Sequence, residues 1–181
     1  MPVATEQQLP VGTWKLDPIH STAGFAVKHM VVATFRGRFE DFDASLEVSD
    51  DGNAKLVGTV DPNSVRVKDE NLAAHLKTPD FFDTERYPEI KFESTQIRRE
   101  GDELIVDGEL TIKGQTHAVE GRGTITDPHE NIAGGTGIGI TLETTVDRTK
   151  FDLNWNAPLP KGGFALANDV ALLVELELAK A

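Results

Sequence analysis

Asp17, His20 and Ser21 stand within one short stretch and are the three side-chain types from which a hydrolase builds its nucleophile, base and orienting carboxylate. Such triads are assembled from distant segments, and the chain contains no Gly-x-Ser-x-Gly elbow. The stretch reads better as a strand entry stiffened by Pro18, with His20 and Ser21 hydrogen-bonding neighbouring backbone. Five histidines (His20, His29, His75, His117, His129) invite a metal reading, but no two share the i, i+4 spacing that places two ligands on one helical face. The run Gly134-Gly135-Thr136-Gly137-Ile138-Gly139 lacks the spacing of a phosphate loop and leads into a strand pattern, where no helix N-terminus can cradle an anion. With no cysteine there is no thiol nucleophile, thiolate metal site or disulfide. The expectation is no catalytic residue, no metal and no cofactor.

The elements that must position any site are strands. Leu104, Val106, Gly108, Leu110 and Ile112 alternate with Asp107, Glu109, Thr111 and Lys113, giving one dry face and one wet face. Ile138 to Val146 and Val170 to Leu178 repeat the pattern, and further strands are expected over 21–28, 38–48, 55–67, 89–98 and 117–126. Turns fall at Asp51-Gly52-Asn53, Glu100-Gly101-Asp102, Lys113-Gly114-Gln115 and across 127–131. About eight antiparallel strands in hairpin succession predict an all-β, up-and-down barrel, since closure removes the sheet edges that a sandwich leaves. One short helix interrupts them: Asp69 caps it, Leu72, Ala73 and Leu76 form its apolar face, and Pro79 stops it after Lys77. Too short to stand alone, it should pack over one mouth of the barrel. The segment 157–164, with two prolines, reads as a flap with Leu159 and Phe164 turned inward.

Glycines on the inward parity, at Gly58, Gly108, Gly121 and Gly123, either leave room for a ligand or permit the bends of closure. A single domain over 13–181, preceded by a flexible segment over 1–12, fits the length. Lys+Arg 18 against Asp+Glu 30 gives a net charge of −12, which argues against nucleic acid and against docking on an anionic membrane. No apolar run is long enough to span a bilayer, and the first twelve residues lack the basic start and apolar core of a secretory signal, so a cytoplasmic location without stable membrane insertion is expected.

Five ordered segments carry a resemblance. They are Trp14-Lys15-Leu16-Asp17-Pro18-Ile19-His20-Ser21 continuing through Phe25-Ala26-Val27-Lys28-His29; Phe35-Arg36-Gly37-Arg38-Phe39 with Phe42; Leu76 to Phe82 followed by Tyr87-Pro88-Glu89-Ile90-Lys91-Phe92; Gly108 to Gly114; and Val146-Asp147-Arg148-Thr149-Lys150-Phe151. Together they resemble the YceI-like, polyisoprenoid-binding family from Trp14 nearly to the C-terminus. Asp43 and Asp152 stand where many relatives have glycine. The resemblance implies an extended lipocalin-like barrel that carries or sequesters a long apolar isoprenoid without catalysis, often in an envelope or stress-related setting.

On this reading the expected tunnel walls and lids are Phe25, Val27, Phe39, Phe42, Leu76, Phe81, Phe82, Phe92, Leu110, Ile140, Leu142 and Phe164. Expected contacts to a polar head are His29, Arg36, Lys77 and Arg148. The expected partner is a polyisoprenoid or other long apolar lipid, with a homodimer allowed. The competing reading is a barrel enzyme acting on prenyl or acyl lipids, with His20 or His29 as general acid or base. A third is a protein-interaction module working through its acidic surface.

Overall fold

In the computed structural model, which describes residues 8–181, the chain forms twelve strands and one α-helix. The strands are β1 (Gly12–Leu16), β2 (Thr22–His29), β3 (Ala33–Phe39), β4 (Phe42–Val48), β5 (Ala54–Val60), β6 (Val65–Arg66), β7 (Ile90–Glu100), β8 (Glu103–Ile112), β9 (Gln115–Ile125), β10 (His129–Glu130), β11 (Thr136–Asp147) and β12 (Leu166–Lys180). Eight of them close an antiparallel barrel in the order β11-β9-β8-β7-β5-β4-β1-β12, with β12 returning to β11. The hairpin turns between β7 and β8 and between β8 and β9 place Gly101 and Gly114 at φ of 63° and 74°, which the missing Cβ makes inexpensive.

The barrel forks at β12. One edge of this strand pairs with β11 from Gly137↔Ala179 to Asp147↔Asp169. Its other edge pairs with β1 near the C-terminus, at Leu16↔Leu178, and with β2 further back, from Glu175↔Thr22 to Leu166↔His29. β3 and β6 continue outward from β2, so one end of the barrel flares. The segment Asp17–Ser21 sits at the fork and satisfies the backbone of Glu177 between the two pairings: the Asp17 amide donates to the Glu177 carbonyl (2.8 Å) and the Glu177 amide to Ser21 Oγ (3.0 Å). This motif closes the ladder where one strand changes partners, which accounts for a buried serine beside an exposed histidine.

Several expectations change. β1 is a strand of its own that completes the ring, although five residues give too few alternations to be read from pattern. The run 38–48 is two strands, because Glu40 and Asp41 make a turn held by Ser64, whose carbonyl accepts from the Glu40 amide (3.1 Å) and whose Oγ accepts from the Asp41 amide (2.9 Å). The run 55–67 breaks at Asp61, whose carboxylate accepts from the Asn63 amide (2.8 Å) and opens a single 3₁₀ turn at Pro62–Ser64. Within the expected turn over 127–131, His129 and Glu130 form the short strand β10 against β11. The helix α1 (Glu70–Leu76) follows the reading closely: Asp69 caps it through the Leu72 amide (2.9 Å), and Lys77 ends it. Of the N-terminal segment, residues 1–7 lie outside the described residues, while Leu9 packs on the core and the Pro10 carbonyl accepts from Trp14 Nε1 (2.9 Å).

Interior packing differs between the two ends. Trp14, Leu46, Leu104, Ile125, Ile138, Ile140 and Leu178 fill the narrow end. Along β12 the inward side chains go from buried at Leu178 and Leu176 to half-buried at Val174, Leu172 and Val170, so the barrel becomes hollow toward the flared end. Helix α1, the loop after it and the segment 148–165 cover that end; Lys113, itself buried, donates to the carbonyls of Pro79 (2.6 Å) and Asp152 (3.0 Å) and ties the two covers together. Asp152 takes the left-handed conformation (φ 60°) that glycine would supply, and its carboxylate accepts from Asn154.

Candidate functional site

The hollow end holds a cavity of about 470 Å³ whose wall is almost entirely apolar. Ten of the twelve expected wall residues lie on it: Phe25, Val27, Phe39, Phe42, Leu76, Phe81, Phe82, Phe92, Leu110 and Leu142. Two do not. Ile140 has the inward parity but sits in the filled end, 1% exposed, because parity sets which face a side chain takes and not how deep it lies. Phe164 is 60% exposed, since the turn of the flap at Gly162 and Gly163, both at positive φ, carries it outward; Leu159 is half-buried and lies off the cavity wall.

Aromatic rings line much of the wall. Phe25, Phe39 and Phe82 form a triangle with centroids 5.7 to 6.5 Å apart. On another side Phe81, His75 and Trp155 pack edge to face or tilted at 5.0 to 5.4 Å. Trp155, Phe151, Leu153 and the inward face of β12 are wall residues that the sequence reading did not name. Their signal was present: Phe151, Leu153 and Trp155 alternate, as do Val170, Leu172 and Val174.

The glycines divide. A Cβ at Gly121 would meet nothing closer than 3.7 Å, and one at Gly58 nothing closer than 3.7 Å; both positions border the cavity. A Cβ at Gly108 would lie 2.5 Å from the Phe92 ring and 2.6 Å from the Glu93 carbonyl, while one at Gly123 would collide with the Thr141 carbonyl. The first pair leaves volume open; the second permits close packing of ring and strand.

Polar groups are few. Arg148, 5% exposed, borders the cavity, but its Nε donates to the Ala167 carbonyl (2.9 Å) and its Nη1 to those of Leu153 (2.6 Å) and Trp155 (2.8 Å). It therefore fastens the covering segment. Burial pushes its pKa down from the usual arginine value, against the nearby Asp147, and the guanidinium stays charged. His29 reaches the mouth and is exposed, whereas Arg36 and Lys77 do not border the cavity, because Arg36 is on the outer parity of β3 and Lys77 is the C-cap of α1. His75 Nε2 donates to the Asp80 carboxylate (2.9 Å), and His117 Nε2 donates to the Lys150 carbonyl (2.8 Å) with its ring on Phe151.

His20 lies outside the barrel at the fork, with Nδ1 2.8 Å from Asp17 and 3.8 Å from Glu177, and it does not border the cavity. That geometry removes it as an acid or base for chemistry inside the chamber. Its partner is the Asp17 carboxylate and not backbone as expected; the three groups also cluster within 4.8 Å, a juxtaposition hidden in the sequence because Glu177 comes from the far end of the chain. The hydrogen bond and charge of Asp17, then the charge of Glu177, raise the His20 pKa above 6.5, and the same hydrogen bond lowers that of Asp17.

An antiparallel eight-stranded barrel, filled at one end and hollow and apolar at the other, defines a barrel of the lipocalin-like kind. Residues 14–178 match the YceI-like domain, and the chain belongs to that family. A UPF0312 protein of Staphylococcus aureus strain bovine RF122 / ET3-1 is 33% identical over 90% of this chain and 95% of its own length. Among solved structures, BcnA of Burkholderia cenocepacia aligns with a TM-score of 0.77 at 22% identity, covering 90% of this chain and 98% of that one. A polyisoprenoid binding domain from Saccharophagus degradans, implicated in plant cell wall breakdown, aligns at 0.68 and 15% identity over 93% of this chain and 98% of its own. Among the described residues no helix is long and apolar enough to cross a membrane.

Proposed function

We propose that this protein binds a long apolar lipid of isoprenoid type in the barrel cavity and carries or sequesters it without chemical change. The observation that carries the reading is the cavity itself: about 470 Å³ enclosed by aromatic and aliphatic side chains. An apolar site of about 150 Å³ takes one benzene ring, roughly 25 Å³ per carbon, so this cavity accommodates about 20 carbons, or four five-carbon units. A narrow branched hydrocarbon suits a wall of packed rings, and water gains little there because polar partners are scarce. The polyisoprenoid-binding description of the Saccharophagus degradans domain supports the same ligand class. His29, exposed on the cavity rim, is available to a polar head, and Arg148 holds the cover over the tail.

Native mass spectrometry of the purified protein, followed by organic extraction, tests this. Substoichiometric prenyl, quinone-type or acyl species are expected, because an empty cavity forfeits dispersion contacts along its lining. Absence of any such species, together with no uptake of added prenyl alcohols, would sink the reading. Turnover of prenyl or acyl esters that survives repurification and is lost in His29→Ala would replace it with the enzymatic one.

A further inference from the structure

The turn joining β2 and β3 projects three apolar side chains into solvent: Met30 is 45% exposed, Val31 79% and Val32 83%. Its base is tied to the flap, since the Met30 amide donates to the Ala165 carbonyl (2.7 Å), and this sets exposed Phe164 beside it. The flanking residues His29, Ala157 and Ala165 border the cavity, so the apolar tip forms part of its rim. Met30 and Val31 hold φ of 51° and 68°, a left-handed backbone that a β-branched residue adopts only at a cost. Valine at such a position, fully wet, gains nothing in solution from being valine.

The charge around this tip differs from that of the whole molecule. Residues 22–39 and 153–168 contain Lys28, Arg36, Arg38 and Lys161 and no Asp or Glu, in a chain whose net charge is −12. Arg38 is paired with Glu40 (3.0 Å), but Lys28, Arg36 and Lys161 are exposed and make no ion pair among the described residues. The nearest carboxylate along the ladder is Asp169, in the β12 bulge between Leu166 and Val170, set back from the tip beside Val27. Helix α1 and the loop after it, which cover the same end from the other side, carry Asp69, Glu70, Asp80 and Asp83, and at physiological ionic strength charges more than about 8 Å apart are largely screened from one another. The net charge argues against an anionic surface only for a molecule whose charge is spread evenly.

We infer that the β2–β3 tip and Phe164 dock the open end of the barrel on an anionic lipid bilayer. Met30, Val31, Val32 and Phe164 enter the headgroup boundary while Lys28, Arg36 and Lys161 meet lipid phosphates, which turns the cavity mouth to the membrane. This is peripheral attachment through a loop, not insertion of a strand or helix. It gives an apolar ligand a path between bilayer and barrel that avoids water. The inference rests on the rim and stands independently of what fills the cavity.

Flotation with vesicles tests it, using phosphatidylcholine alone and phosphatidylcholine with about one third phosphatidylglycerol, at low and high salt. The protein is expected to float with the anionic vesicles, less so at high salt, and weakly with the neutral ones. The double variant Val31→Asp, Val32→Asp should reduce binding roughly tenfold or more, since two valines that enter the bilayer on docking become charges of the wrong sign. Its melting temperature should hold, because both sites are exposed and aspartate tolerates the left-handed backbone better than valine. No flotation of the unaltered protein at low salt, or equal flotation of the folded double variant, would overturn the inference. Prenol uptake measured on the same samples in vesicle-free buffer separates the two claims: uptake retained with flotation lost in the variant supports docking. Flotation without uptake in the unaltered protein would leave docking standing and reject the lipid-binding cavity.

Discussion

Filling the cavity from its wall should shorten the ligand it accepts. Gly121 faces Val106 across the β8–β9 ladder and borders the cavity, and its φ is not in the left-handed region. A leucine there has ordinary contact with Leu142 at 3.7 Å and with the Val106 carbonyl at 3.9 Å, so its Cβ fits without displacement. Four added carbons at roughly 25 Å³ each occupy about 100 Å³, leaving about 370 Å³ of the 470 Å³ available. A twenty-carbon prenol then loses the burial of about four carbons, which at ~0.8 kcal/mol each is ~3 kcal/mol, a weakening of about 150-fold. A fifteen-carbon prenol needs about 375 Å³ and should bind nearly as before. The unliganded variant should be as stable as the parent, because the leucine fills empty apolar space. Gly108→Ala supplies the contrast: its Cβ would lie 2.5 Å from the Phe92 ring, so it should lower stability by ~1–3 kcal/mol and leave the chain-length preference in place. Calorimetric titration with both prenols and thermal melting of both variants measure these effects. Unchanged affinity for the longer prenol in a Gly121→Leu variant with a lowered melting point would refute this placement of the tunnel.

Replacing Arg148 by Gln removes charged donors from the carbonyls of Leu153, Trp155 and Ala167, and should cost ~2–4 kcal/mol while speeding amide exchange across 153–167. Exchange in that segment equal to the parent's would show that Arg148 does not hold the cover. The His20 imidazole should titrate above 6.5 by NMR, and Asp17→Asn should bring it back toward that value. A raised histidine stabilises fully below 6.5 and less as pH climbs through its folded value; a lowered Asp17 stabilises above 3.8 and is lost as pH falls through its folded value. The clip at the fork is therefore strongest between these two limits, and a His20 midpoint insensitive to Asp17→Asn would contradict the hydrogen bond between them.

Much of the barrel was legible because its strands alternate with a period of two, as in β8 from Val106 to Ile112 and in β11, and because Asp69 and Pro79 bracket the helix with ordinary capping chemistry. Depth along the barrel axis was not. Ile140 and Leu142 are neighbours on one face of one strand, yet the first is packed against the closed end and the second borders empty space. Nothing in alternation distinguishes them, since the difference arises from which strands converge below. The fork was hidden for a similar reason: β12 reads as one long strand, and only the register with β1 and β2 reveals that its edge changes partner at Glu177. The motif around His20 was visible as an unusual cluster of polar types, but its purpose depends on a residue more than 150 positions away. Phe164 points outward because two glycines turn the flap, a choice that its apolar character alone would not suggest.

The central claim is that the cavity encloses an apolar chain of limited length, and a series of prenols titrated against tryptophan emission tests it most directly. The two tryptophans are well separated in role: Trp14 is 1% exposed in the filled end, while Trp155 borders the cavity beside Phe81 and His75. Emission should change on binding through Trp155. Affinity should climb with each added unit up to about 20 carbons, the capacity of 470 Å³, and then level off as further units extend through the mouth. Affinity that ignores chain length, or binding that leaves Trp155 unaffected, would contradict the account.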